Sequence, residues 1–202
     1  MKELLVGTTN PAKLLQIRGA LGLGNIEVRG ITDKSVLPIV AEDGETACEN
    51  ANKKAIAYAK ALNQPVLSMD NALYIDGLSP EKQPGLNVRR IEGAQDRLTD
   101  QEMLKYYSNL ISGLGGKANG YWEFGVCIAT PEGRNWNKVI KSPRVFVARP
   151  SEKVVEGYPL ESIQIDPVSG RYISEMTQEE QDSFWQNAIG KALLDFVLSV
   201  EL

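Results

Sequence analysis

The stretch E-D-G-E-T-A-C-E-N-A-N-K-K-A-I-A-Y-A-K-A-L-N-Q-P-V-L-S-M-D, from Glu42 to Asp70, leaves this chain few folds to adopt. Thr46 and Glu49 form a T-x-x-E capping box, and Ala47, Ala51, Ala55, Tyr58, Ala59 and Leu62 recur at helical spacing. A helix therefore starts after Thr46 and packs on that side. The chain then returns through a short apolar strand, Pro65 to Leu67, with Asp70 expected at its carboxyl end. Helix leading into buried strand is the repeating pattern of an α/β sheet, and ligands of such sheets bind beyond the carboxyl ends of the strands. Glu42 in the acidic turn, Lys54 on the helix and Asp70 thus bring two carboxylates and an ammonium onto one scaffold. Hard carboxylate oxygens suit Mg²⁺ and an ammonium suits phosphoryl oxygens, so the pattern points to phosphate and a divalent metal.

The amino-terminal segment repeats the theme. Leu4 to Gly7 reads as a buried strand, and Thr8-Thr9-Asn10-Pro11 follows directly. Asn10 suits the N-cap and Pro11 the first helical position, so a helix is expected to about Leu21. Strand, polar turn and helix start make an anion site of free N–H groups, with Lys13 one turn in. The plainer reading, that Asn10 only caps and Lys13 only decorates the helix, stays open. Ile26 to Arg29 alternates like a strand, and Val36 to Val40 reads as another at a sheet edge because of Pro38. Glu49 has a capping task, whereas Glu42 sits in a turn with Gly44 where an acid faces either a ligand or solvent.

Further on, Pro65 to Ser68 and Leu73 to Ile75 read as two strands flanking Asp70 and Asn71. Pro84-Gly85 turns a loop carrying Arg89-Arg90, a solvated pair or a phosphate clamp, since the guanidinium fork matches phosphoryl oxygens. Thr99 and Glu102 cap a helix to about Ile111 that ends at Gly113 and Gly115-Gly116. Tyr121 to Thr130 and Asn135 to Ile140 form a hairpin around Pro131-Glu132-Gly133, with a further strand at Arg144 to Ala148. Trp122, Phe124 and Trp136 are expected in the core or at an interface of a half-buried sheet, in preference to a base-stacking platform. Gly157 to Arg171 looks irregular; Thr177 and Glu180 cap a closing helix whose buried stripe is Ile189, Leu193, Phe196, Val197 and Val200.

Composition narrows the chemistry. With 22 basic against 26 acidic residues the net charge is −4, which gives no general pull toward nucleic acid or a membrane surface. The chain has no histidine, excluding imidazole bases and histidine-ligated zinc. Cys48 and Cys127 make no disulfide framework, and no stretch approaches a membrane span or a secretion signal, so the expected compartment is the cytoplasm. A length of 202 residues with 43% hydrophobic content suits one α/β domain over residues 1–202.

Taken together, the anchors resemble the inosine triphosphate pyrophosphatase family, which hydrolyses deaminated purine nucleoside triphosphates. Thr8-Thr9-Asn10-x-x-Lys13 is similar to the family's T-x-N-x-x-K phosphate turn. Glu42-x-Gly44-x-Thr46-x-x-Glu49-Asn50-Ala51 with Lys54-Ala55 resembles its acidic turn and helix. Pro65-Val66-Leu67-x-x-Asp70-x-x-Leu73 resembles the strand with its metal-binding aspartate, and Pro84-Gly85 with Arg90-x-x-Gly93 its P-G-x-x-x-x-R loop. Gly190-Lys191-Ala192-Leu193 resembles the final helix more loosely. Departures are concentrated in one functional half, and the family elements that hold the purine base are its Ser-His-Arg and its aromatic loop. Met69 stands where a second acid is usual, Asn71-Ala72 replaces a Ser-Gly-like pair, Gln16 replaces a common glutamate, and Asn187-Ala188-Ile189 replaces Ser-His-Arg. Gly157-Tyr158-Pro159-Leu160-Glu161 stands for the aromatic G-F-G-Y-D-P loop.

The resemblance implies an elongated, twisted mixed sheet flanked by helices, with two lobes and an active-site cleft between them, and a homodimer. It implies Mg²⁺, or Mn²⁺, on Glu42 and Asp70, with Asp70 also orienting or deprotonating the attacking water. Thr8, Thr9, Asn10, Lys13, Lys54, Asn71, Arg89, Arg90 and Lys191 are the implied substrate contacts, with Lys54 close to the chemistry. The implied reaction releases pyrophosphate from inosine or xanthosine triphosphate to give the monophosphate. Two alternatives remain open: the same chemistry on another base, suggested by the missing Ser-His-Arg, or a nucleotide-binding regulator without turnover, suggested by Met69.

Overall fold

A computed structural model describes residues 2–90 and 97–201. Six strands form one sheet in the order β2-β1-β3-β4-β5-β6. β1 (Lys2–Val6) pairs in parallel with β2 (Ile26–Gly30) and with β3 (Val66–Ile75), and α1 (Pro11–Ala20) and α2 (Ala47–Leu62) provide the crossovers that parallel pairing needs. β4 (Lys117–Ala129) and β5 (Asn135–Val147) follow, and short β6 (Gln164–Ile165) pairs antiparallel with Val145 and Phe146 of β5. The sheet is therefore mixed, with α3 (Asp100–Gly113), α4 (Gln178–Trp185) and α5 (Lys191–Ser199) completing the helices.

The chain divides into two compact units. One comprises Met1–Asn71, Glu123–Lys141 and Asp182–Leu202. Its core sets Ala51, Ala55 and Ala59, one face of α2, against Val66 of β3 and Cys127 and Ala129 of β4. Gly125 permits the close approach at the start of that helix: a Cβ there would lie 2.2 Å from the Cys48 nitrogen. Asn63 closes α2 in the left-handed conformation, φ 51°. The other unit comprises Ala72–Trp122 and Ser142–Gln181. There Met103, Tyr107 and Ile111, four residues apart on α3, pack with Leu73, Ile75, Phe146, Leu160 and Ile163.

Several sequence expectations need correction. Val36–Val40 is not a strand: a 3₁₀ turn covers Lys34–Val36, and Ile39 is fully exposed, so no apolar face is gained by pairing. Pro65–Ser68 and Leu73–Ile75 are not separate; β3 runs unbroken through Asp70 and Asn71. Asp70 is thus in mid-strand, although β3 pairs with β1 only at Val66 and Leu67, so Asp70 lies beyond the carboxyl end of β1. Likewise β5 passes through Pro143 without a break. β6 reaches only Val145 and Phe146, so at Pro143 a missing N–H can face outward without breaking a ladder. The closing helix is also interrupted, by a π turn at Gln186–Gly190 between α4 and α5. Its stripe of Ile189, Leu193, Phe196, Val197 and Val200 is buried as expected. Phe124 is buried, while Trp122 and Trp136 are half-buried.

Candidate active site

The amino-terminal turn is closed by its own side chains. Asn10 Oδ1 accepts from the N–H groups of Ala12 at 2.9 Å and Lys13 at 3.4 Å, and Thr8 Oγ1 accepts from the Asn10 N–H at 3.2 Å. Thr9 is exposed. The Gly7 N–H donates to the Leu67 carbonyl at 2.7 Å and ties the turn to β3. A Cβ on Gly7 would come within 2.8 Å of Ser68, Val66 and Tyr58 side-chain atoms, so the turn approaches β3 only because residue 7 is glycine. Sequence reasoning missed this role, though a glycine between an apolar strand and a Thr-Thr-Asn turn was its signal. One turn into α1, Lys13 Nζ donates to the Met69 carbonyl at 3.0 Å, beside Asp70.

The second half of the site is built by α2 and β3. Lys54 lies on the packed side of the helix, its side chain 11% exposed, and its Nζ is 3.3 Å from both Glu42 Oε1 and Asp70 Oδ1. Glu42, Lys54 and Asp70 are therefore brought together, as their spacing implied. The Asp70 side chain is 16% exposed and that of Glu42 51%, so solvent weakens the Glu42 contact far more than the Asp70 one. Three bonds hold the acidic turn onto the helix. The Gly44 N–H donates to Asn50 Oδ1 at 2.8 Å, the Glu45 N–H to Glu49 Oε2 at 2.9 Å, and the Glu49 N–H to Thr46 Oγ1 at 3.1 Å. Glu49 thus reaches past the cap to Glu45. Asn50, buried at 2% exposure, stands in the motif of the acidic turn, but its task of holding Gly44 is shown only by the fold. Tyr58 lies near the same charges: burial raises its phenol, the Lys54 charge lowers it and Glu42 raises it.

Other expected contacts are placed differently. Consecutive strand side chains point to opposite faces, so Asn71 does not share the face of Asp70; its Oδ1 is buried with no partner among the described residues. Arg89 pairs with Asp100 at 2.7 Å and donates to the Gly157 carbonyl at 3.0 Å, while Asp100 accepts the Gly157 N–H at 2.8 Å. Arg90 is exposed, and Gly93 lies outside the described residues. Lys191 is also exposed, paired at 2.7 Å with Asp195 one turn on.

A buried pair in the second unit had no sequence signal. Arg144 and Glu161 are 5% and 6% exposed. Burial raises the Glu161 carboxyl to about 7, with Arg144 opposing, and lowers Arg144 to about 10. Arg144 Nη1 also donates to Ser142 Oγ and the Pro143 carbonyl.

Among the described residues no group of three or more acidic, cysteine or histidine side chains is assembled for a metal. Two carboxylates still fit Mg²⁺, which keeps several waters and takes remaining ligands from a substrate's phosphates.

Comparison with known proteins agrees with these motifs. A family model described as the Ham1 family matches residues 4–139. A dITP/XTP pyrophosphatase of Geobacillus kaustophilus is 26% identical over 96% of this chain and 93% of its own length. One from Brucella melitensis is 29% identical over 95% and 86%. A HAM1 protein structure from Coxiella burnetii superposes with a TM-score of 0.69 at 21% identity, covering 99% of this chain and all of that one, which shows a shared fold.

Proposed function

The chain belongs to the Ham1 family, and we propose on that footing that it is a nucleoside triphosphate pyrophosphohydrolase acting on deaminated purine nucleotides of the inosine and xanthosine type. The observation that carries this reading is the Lys54 ammonium set between the carboxylates of Glu42 and Asp70, with Lys13 beside Met69. Mg²⁺ or Mn²⁺ would be held by Glu42 and Asp70, and when bound it supplies charge neutralisation at the phosphoryl oxygens. The turn before α1, with Thr8, Asn10 and Lys13, binds the phosphates and fixes their register. Lys54 draws charge from the same oxygens. Asp70, the less exposed of the two carboxylates, orients the attacking water and takes its proton. The water oxygen bonds to the α-phosphorus, the bond from that phosphorus to the bridging oxygen breaks, and pyrophosphate leaves with the electron pair. The protein is further proposed to act as a homodimer in the cytoplasm. No helix among the described residues is long and apolar enough to cross a membrane.

Product identity tests this reading. Inosine triphosphate with Mg²⁺ is expected to give inosine monophosphate and pyrophosphate in equal amounts. Inosine diphosphate and orthophosphate would place the attack at the γ-phosphorus and overturn it.

A further inference from the structure

Lys54 has two partners to serve in the reading above, the carboxylates beside it and the phosphoryl oxygens of the substrate. Its ammonium lies equally close, at 3.3 Å, to an oxygen of Glu42 and one of Asp70. A divalent cation held by Glu42 and Asp70 would be bonded to oxygens of the same two carboxylates. Each carboxylate has a second oxygen, so the ammonium and the dication compete through charge, and where the Lys54 and Asp70 side chains are 11% and 16% exposed there is little water to screen one cation from the other. Moving the ammonium away relieves that repulsion, and it needs an anionic partner on leaving, because a buried charge without one is costly.

We propose that Lys54 makes metal binding conditional on phosphate. Its ammonium holds Glu42 and Asp70 together until a phosphoryl oxygen of the substrate takes it, and the two carboxylates then hold the divalent cation without its repulsion. This inference rests on the metal-dependent pyrophosphohydrolase reading and adds an order of events to it. The protein alone binds metal weakly, and the metal centre is completed with the nucleotide. By linkage, the gain is reciprocal: whatever draws Lys54 away strengthens metal binding, and metal on the carboxylates releases Lys54 to the phosphates.

The test measures Mn²⁺ binding to the full chain without nucleotide, from the free-ion signal in electron paramagnetic resonance. Lys54→Met is expected to bind Mn²⁺ at least tenfold more tightly than the parent, and Lys54→Arg like the parent. Lys53→Met removes an equal charge from the neighbouring surface pair with Asp43, and is expected to change binding less than threefold. Lys54→Gln replaces the Met variant if thermal melting shows that the latter does not fold. Adding Asp70→Asn to Lys54→Met is expected to abolish the gain. Equal or weaker Mn²⁺ binding by both neutral Lys54 variants overturns the inference while leaving the pyrophosphohydrolase reading intact. Turnover by the parent in excess chelator overturns both.

Discussion

Asp70→Asn keeps the volume of the side chain and removes its charge and basicity. Losing a general base or the metal it holds costs two or more decades of rate, so kcat is expected to fall by about 100-fold or more in this variant. Parent-like turnover by folded Asp70→Asn protein would remove Asp70 from the chemistry. Lys13→Met tests a contact to phosphate: kcat/KM is expected to fall by a similar factor for every triphosphate, leaving their ranking unchanged. A variant that lost one base alone would contradict that role. Glu161 gives a prediction about stability. Its carboxyl is raised by burial from 4.5 to about 7, so between those values the unfolded chain releases a proton that the folded one keeps. Stability from this group is therefore full below about 4.5 and falls as pH rises to about 7, by up to roughly 3 kcal/mol. Urea unfolding at pH 5 and pH 8 is expected to show a shallower pH dependence in Glu161→Gln than in the parent. An unchanged slope would mean that Glu161 titrates normally.

At the scale of elements, the structure gives Arg89 a task that a phosphate clamp does not have. It joins the loop before α3 to Asp100 at the first turn of that helix and to Gly157 beyond β5. Arg89→Met leaves the partly buried Asp100 carboxylate without its cation, and is expected to cost about 2 kcal/mol in urea unfolding. Unchanged stability with lost activity would return Arg89 to the phosphates. The helices were the more legible elements, because their signals are local. Thr99 and Glu102 cap α3 reciprocally, as do Thr177 and Glu180 the turn into α4. Strand length was not legible. The polar pair Asp70-Asn71 and the proline at 143 look like ends, yet β3 and β5 continue because their neighbours in the sheet supply the ladder. Nor could the interval from Pro159 to Ile163 be read as core. It is buried along its whole length without any helix or strand period, and it carries Glu161. The acidic turn was legible as a site because a capping box and a helix-to-strand pattern place Glu42, Lys54 and Asp70 on one unit, whereas Arg144 and Glu161 are linked by a segment with no such period.

For the whole molecule the open variable is the base. The chain has no histidine, and Asn187 is exposed in a π turn where the resembling family carries Ser-His-Arg. Such turns interrupt helices at functional sites more often than elsewhere. A pocket that hydrogen-bonds a substrate group rejects analogues by several decades, whereas a mainly apolar one separates isosteres by only about 10 to 200-fold. Preference for deaminated over ordinary purines is therefore expected to be shallow. The most direct measurement is pyrophosphate release across inosine, xanthosine, adenosine, guanosine, cytidine and uridine triphosphates at one pH and one Mg²⁺ concentration, with Asp70→Asn as the blank. We expect the highest kcat/KM for inosine or xanthosine triphosphate, by no more than about 200-fold over adenosine and guanosine triphosphates, with each rate in the blank lower by about 100-fold or more. No pyrophosphate from any of the six, with nucleotide still bound, would contradict the account and leave a nucleotide-binding protein without turnover.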